Sequence, residues 1–115
     1  MLLMLPLATF AQDSTYVDNK FTYKLYPTKN MWTFLKLNTA DGRIWQVQYD
    51  IDGNNRFETY LNFDLVFGSD VINGRFELYP TQNMYNFILL DKINGRMWQV
   101  QWSIEEKERL VLPIN

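Results

Sequence analysis

The feature that most constrains the fold is a tandem duplication. When the sequence is shifted against itself by 53 positions, residues 22–62 align with 75–115 without a gap, and 17 of these 41 positions are identical. The match is clearest where "GRIWQVQY" (42–49) returns as "GRMWQVQW" (95–102). Repeats of this length are supersecondary units that bury their apolar faces only by stacking on one another. We therefore expect two copies of one unit to share a single core.

Each copy has the sequence pattern of β-strands. Segments rich in aromatic and β-branched residues alternate in polarity and are separated by turn residues. The pairs Asp41-Gly42 and Asn94-Gly95 predict type I′ hairpin turns with positive φ at both residues. We predict an all-β fold of two tandem four-stranded antiparallel meanders, 21–62 and 74–115, packed with pseudo-twofold symmetry as a sandwich or barrel.

One motif within the repeat resembles a known family. The run "LLDKINGRMW" (89–98) is similar to the blade repeat of quinoprotein-type β-propellers, with Leu90, Asp91, Gly95 and Trp98 carrying the resemblance. In the first copy Asn38 takes the place of the aspartate. A propeller ring has roughly four to eight blades, so the resemblance implies a propeller only if several chains assemble.

The composition excludes several kinds of chemistry. The chain has no cysteine and no histidine, which removes disulfides, thiolate nucleophiles and the commonest general base. Lysine and arginine are scattered and the net charge is −2, so a nucleic acid partner is not expected. Few carboxylates are kept in both copies, and a junction site of Asp64, Asp70 and Glu77 is the remaining catalytic candidate. We predict a protein that is not an enzyme and has no cofactor.

Metal binding is also not predicted. The run "DIDGNN" (50–55) has acidic and amide side chains at alternating positions, as in a calcium loop, but its glycine comes too early and the second copy has "SIEEKE" instead. A hairpin turn accounts for the pattern.

The first eleven residues predict export. "MLLMLPLATFA" (1–11) is an uncharged apolar run that ends in small residues, as in a secretory signal cleaved after Ala11. No Lys or Arg precedes the run, which is expected if the signal is truncated at its start. The alternative is a buried first strand. The run is too short to span a membrane, and we expect one mature β domain, 12–115, in the periplasm, at the cell surface or secreted.

Alternation in the third strand of each copy suggests a ligand-binding surface. It places Trp45 and Trp98 on an inward face and glutamines on the opposite face. Those glutamines either form a solvated outer surface or line a groove for a neutral ligand. The second reading requires an exposed aromatic residue beside them. The predicted ligand-binding residues are Gln46, Gln48, Gln99, Gln101, Trp32 and Tyr85.

These observations predict an exported β module that binds a glycan, peptide or protein. The alternative is a self-associating structural subunit, a homo-oligomer joined through strand edges such as the apolar end segment "RLVLPI" (109–114).

Overall fold

The chain forms two four-stranded sheets. The computed structural model describes residues 20–115, so the predicted signal segment lies outside the described residues. The first sheet consists of β1 (Tyr23–Pro27), β2 (Thr33–Asn38), β3 (Ile44–Gln48) and β4 (Phe57–Asn62). The second sheet consists of β5 (Phe76–Pro80), β6 (Asn86–Asp91), β7 (Met97–Gln101) and β8 (Leu110–Ile114). Short 3₁₀ turns occupy Gly68–Asp70 and Glu106–Glu108.

Both sheets are antiparallel meanders in which each strand pairs with its neighbours in the chain. The predicted all-β fold of two four-stranded units is therefore confirmed. The sheets do not close into a barrel, and their arrangement fits a sandwich. Within residues 20–115 there is no helix with the length and apolar character needed to cross a membrane.

Each sheet has two faces, which we name after the third strand of its copy. The amide face carries Gln46 in the first sheet and Gln99 in the second; the indole face carries Trp45 and Trp98 respectively. The amide-face positions are Tyr26, Leu35, Leu37, Ile44 and Gln46, and in the second sheet Tyr79, Ile88, Leu90, Met97 and Gln99. The indole-face positions are Leu25, Phe34, Lys36, Trp45 and Val47, and in the second sheet Leu78, Phe87, Leu89, Trp98 and Val100.

The core lies between unlike faces. The amide face of the first sheet packs on the indole face of the second, and the buried cluster draws its members from these two faces, apart from Val66, which lies in the segment that links β4 to β5. The expectation that the tryptophan face points inward is thus right for Trp98. For the first sheet it is wrong, because Gln46 is 0% exposed inside the sandwich. Trp45, at 8% exposure, is covered by residues of its own face, including Tyr60 and Lys36.

The β2–β3 turns differ from the predicted type. Five residues, 39–43, connect the strands, and the Asn38 side-chain oxygen accepts hydrogen bonds from the backbone N–H groups of Ala40 and Asp41. In the second copy Asp91 accepts the equivalent bonds. Within residues 20–115 only glycines have positive φ, +86° at Gly42 and +81° at Gly95, so the type I′ prediction is wrong. A side-chain-capped turn forms in its place.

The connector between the sheets, residues 63–75, covers the first of these turns. Backbone carbonyls of Ala40 and Asp41 accept hydrogen bonds from the N–H groups of Ile72 and Leu65. A Cβ atom on Gly42 would lie 2.9 Å from Leu65 Cδ1, whereas one on Gly95 would meet nothing within 4 Å. The first turn is therefore enclosed and the second is open.

A buried ion pair joins the connector to the second sheet. Arg75 Nε and Nη2 each lie 3.0 Å from a carboxylate oxygen of Asp91, and Nη1 donates to the Asp70 carbonyl. The equivalent positions in the first copy are Thr22 and Asn38, which carry no charge. Burial tends to raise the pKa of Asp91, but the Arg75 guanidinium and the N–H groups of the turn outweigh burial, so its pKa is lowered.

Candidate ligand-binding clefts

Two clefts of similar size lie at equivalent ends of the two sheets. Cleft 1 has a volume of about 380 Å³ and cleft 2 of about 370 Å³. Both lie where β3 or β7 ends and the next loop begins. Cleft 1 is lined by Trp32, Gln48, Tyr49, Asp50, Asn55, Phe57 and Ile104. Cleft 2 is lined by Asn83, Tyr85, Asn86, Gln101, Trp102, Ser103, Ile104, Glu105 and Glu108.

The clefts are products of the duplication. An aromatic residue, a glutamine and a second aromatic residue occupy matching positions: Trp32, Gln48 and Tyr49 in cleft 1, and Tyr85, Gln101 and Trp102 in cleft 2. Ile104, from the second copy, borders both clefts. The same backbone therefore presents two variants of one site, side by side.

The aromatic wall of cleft 1 is fixed by the backbone. The Asn30 side-chain oxygen accepts a hydrogen bond from the Trp32 N–H at 2.8 Å, which closes the bend between β1 and β2. Tyr49 N–H donates to the Trp32 carbonyl at 3.1 Å, which brings the two rings together. Their centroids are 5.3 Å apart in an edge-to-face arrangement. Such pairs are held in place and offer apolar surface to a ligand.

The polar group of cleft 1 is the Gln48 side chain. Its Oε1 accepts hydrogen bonds from the Thr33 hydroxyl at 3.1 Å and from Gln46 Nε2 at 3.4 Å. Because both contacts use the oxygen, they orient the amide and leave its NH₂ group as the donor that a ligand in the cleft could use.

Asp50 holds the loop beside cleft 1. Its carboxylate accepts hydrogen bonds from the backbone N–H groups of Gly53 and Asn55 and from the Asn55 side chain. Desolvation tends to raise the pKa of Asp50, but the hydrogen bonds from Asn55 and Gly53 outweigh it, so its pKa is lowered. The carboxylate is thus ionised at neutral pH and organises the loop, which supports the turn interpretation of 50–55.

Cleft 2 has a similar wall but a different polar character. The Tyr85 and Trp102 rings are 4.9 Å apart, and Trp102 Nε1 donates to the Met84 carbonyl at 2.9 Å. The Gln101 amide is engaged on both sides, as donor to the Glu108 carbonyl and as acceptor from Asn86 Nδ2. With Glu105 and Glu108 on its rim, cleft 2 is acidic.

The structure divides the six predicted site residues between four places. Trp32 and Gln48 lie in cleft 1, and Tyr85 and Gln101 lie in cleft 2. Gln46 is enclosed between the sheets, where its amide donates to the Ser103 carbonyl and accepts from the Ser103 N–H. Gln99 lies on the outward amide face and donates to Asn86 Oδ1 at 2.7 Å.

Sequence reasoning missed five residues of cleft 1. They are Tyr49, Asp50, Asn55, Phe57 and Ile104. Four of them follow β3 or begin β4, so they could have been predicted from their closeness to Gln48 along the chain. Ile104 comes from the other copy, and only the stacking of the sheets brings it to the cleft.

Of the three candidate catalytic carboxylates, Glu77 is engaged in ion pairs. Glu77 lies 2.7 Å from Lys24 Nζ and 3.4 Å from Lys92 Nζ. Burial tends to raise the pKa of Glu77, but the two lysines outweigh burial, so its pKa is lowered. In the described residues no three acidic side chains come together to form a metal site.

Comparison of the chain with protein-family models, with curated protein sequences and with solved structures gave no match. The clefts are therefore interpreted from their own geometry.

Proposed function

We propose that the protein is an exported, non-catalytic module that binds a neutral glycan residue in cleft 1. The observation that carries this proposal is the joint lining of one cleft of about 380 Å³ by Trp32, Tyr49 and the oriented Gln48 amide. Small-ligand sites are mostly apolar clefts of this size with a few placed polar groups. The apolar C–H face of a sugar ring packs on an aromatic side chain, while its hydroxyls accept from and donate to amides.

The position of the cleft favours a sugar over a peptide. Extended peptides usually bind by adding a strand to a free sheet edge, where backbone groups supply the hydrogen bonds. Cleft 1 lies at the end of the central strand β3 and offers side chains. Cleft 2 keeps the aromatic pair of cleft 1 at the matching position, so its rings could contact a second residue of the same chain of sugars and increase avidity.

The test is a glycan array followed by calorimetric titration of the best hit with full-length protein. Trp32→Ala and Gln48→Ala are expected to weaken binding at least 10-fold, as loss of one central contact of about 1.4 kcal/mol or more does. Phe63→Ala is the matched control, because Phe63 is an exposed aromatic residue outside both clefts.

Two outcomes would contradict the proposal. One is the absence of any glycan ligand together with binding on a peptide array, which would assign the cleft to peptides. The other is glycan binding that survives both cleft variants unchanged.

A further inference from the structure

One face of each sheet is left uncovered, and each uncovered face is the repeat counterpart of a face that is buried inside the molecule. Inside the molecule the amide face of the first sheet is covered by the indole face of the second. The indole face of the first sheet and the amide face of the second point outward in the described part of the chain. Each molecule therefore presents, on opposite sides, a second copy of both halves of its own internal interface.

The outward faces keep the apolar character of their buried counterparts. Leu25, on the open indole face, is 56% exposed, while its counterpart Leu78 is 2% exposed in the core. Met97, on the open amide face, is 40% exposed, while its counterpart Ile44 is fully buried. The exposed apolar side chains of Leu25 and Met97 are explained if the open faces also become covered.

The internal contacts show how a second copy would be placed. Lys24 Nζ lies 2.7 Å from Glu77 and Lys29 Nζ lies 3.4 Å from the Gln82 carbonyl, and each of these pairs joins positions that are 53 residues apart. Equivalent positions therefore lie next to each other across the interface. If a second molecule stacks on the second sheet in the way that the second sheet stacks on the first, Glu77 of one molecule comes next to Lys24 of the following molecule. These two side chains carry opposite charges.

The hydrogen bonds that Gln46 makes between the two sheets could be repeated by Gln99 between two molecules. The Gln46 amide holds the backbone of Ser103, whose counterpart is Asp50. Gln99 keeps the same amide on the open face, so it would meet the backbone at Asp50 of the following molecule. Gln46 and Gln99 are identical although only Gln46 has this task within one chain.

We propose that the open indole face of one molecule docks on the open amide face of a second copy of this chain, head to tail. The interface is heterologous, because the two surfaces in contact are different. Repetition of one such contact gives either a closed ring or a filament.

One residue departs from the pattern. Lys36 occupies the position of buried Leu89; its ammonium group lies 4.6 Å from the centre of the Trp45 ring and pairs with Glu58. A docking sheet must displace this side chain, so the contact between molecules is weaker than the contact within one. Charged residues at such positions are a common means of limiting sheet association. Lys36→Leu is therefore expected to strengthen association at least 10-fold.

The test measures the size of the full-length protein by sedimentation velocity over a range of concentrations. Wild type is expected to form particles larger than a dimer as concentration rises. Leu25→Glu blocks one face and Met97→Glu blocks the other, and each variant alone is expected to remain monomeric. Both side chains are exposed, so the monomers should fold.

Mixing the two variants distinguishes this arrangement from others. Each variant keeps one intact face, and the two intact faces are complementary, so an equimolar mixture is expected to form a dimer and nothing larger. Phe67→Glu, in the connector, is the matched control and is expected to assemble like wild type.

Three results would overturn the proposal: wild type and Lys36→Leu that stay monomeric at every concentration, single variants that still self-associate, or a mixture that forms no dimer. The clefts are left intact by these changes. Loss of assembly with retained glycan binding, or the reverse, therefore separates this inference from the proposed function.

Discussion

A single buried amide joins the two sheets at the level of individual residues. Gln46 is enclosed in the sandwich and makes two hydrogen bonds to the backbone of Ser103, one as donor at 3.0 Å and one as acceptor at 3.3 Å. A neutral amide carries a donor and an acceptor on separate atoms, so one Gln side chain can satisfy a carbonyl and an N–H group together. Leucine would fit the apolar surroundings but would leave the Ser103 N–H without its partner, while the Ser103 carbonyl would keep the hydrogen bond from Arg109 Nε at 2.8 Å.

We therefore predict that Gln46→Leu lowers the free energy of unfolding by about 1–2 kcal/mol, the usual effect of leaving a buried polar partner unsatisfied. Gln99→Leu is the matched control: the same residue type on the outward face should change stability by less than about 0.5 kcal/mol. Urea denaturation of the monomer measures both values. Equal losses in the two variants would show that Gln46 has no special role between the sheets.

The inward position of Gln46 could not be predicted from its own strand. "IWQVQ" and "MWQVQ" alternate in the same way, so local sequence does not say which face of each sheet is covered. The order of stacking decides this, and it involves residues far apart in the chain. The one local sign was Lys36, a charge on the face predicted to be core, where the second copy has Leu89.

At the level of elements, the β2–β3 turn is built by the last residue of β2. The Asn38 carbonyl accepts the Gly42 N–H and its side chain caps the two preceding N–H groups; Asp91 and Gly95 repeat this arrangement. Both glycines have φ above +80°, where residues with a Cβ are strained. Only Gly42 also has Leu65 pressed against it.

We predict that Gly95→Ala costs about 1 kcal/mol of stability, from backbone strain alone. Gly42→Ala is expected to cost clearly more, because Leu65 must also shift within a packed region. Thermal unfolding of the two variants beside wild type makes the comparison. Equal changes in Tm would mean that Leu65 can shift away from residue 42 without loss of stability.

Strand positions were predictable and turn type was not. Alternating aromatic and β-branched segments have few other ways to fold, so four strands form within each of the predicted units, 21–62 and 74–115. The Asp-Gly and Asn-Gly pairs suggested a two-residue turn. The capping bonds of Asn38 and Asp91 stabilise a longer connection, in which only the glycine needs positive φ.

At the level of the whole molecule, the stability of the sandwich should depend on acid. Asp91 and Glu77 both have lowered pKa values in the folded state. Above about pH 5 these carboxylates are ionised in both the folded and the unfolded state, and their contribution to stability is complete. Below that pH the unfolded chain binds protons first, so the free energy of unfolding falls, by up to about 1.4 kcal/mol per pH unit for each extra proton.

We predict that the double variant Arg75→Thr with Asp91→Asn loses part of this dependence. It copies the uncharged pair Thr22 and Asn38 of the first copy, so a folded protein is expected. Its stability should decline less steeply than that of wild type between pH 4 and pH 2, with Glu77 and Asp50, whose pKa values are also lowered, supplying the remainder. Urea denaturation at several pH values in this range measures the slopes, and identical slopes would rule out Asp91 as a source of acid sensitivity.

The enclosed first turn and the open second turn also have a practical consequence. Residues 39–42 are held under the connector, whereas a side chain added at Gly95 meets no neighbouring atom. The 92–95 turn is thus a natural location for grafting a fluorophore or an affinity epitope, since exposed loop tips accept insertions best. A label there would report on the second copy while leaving the first, and cleft 1 with it, as it is.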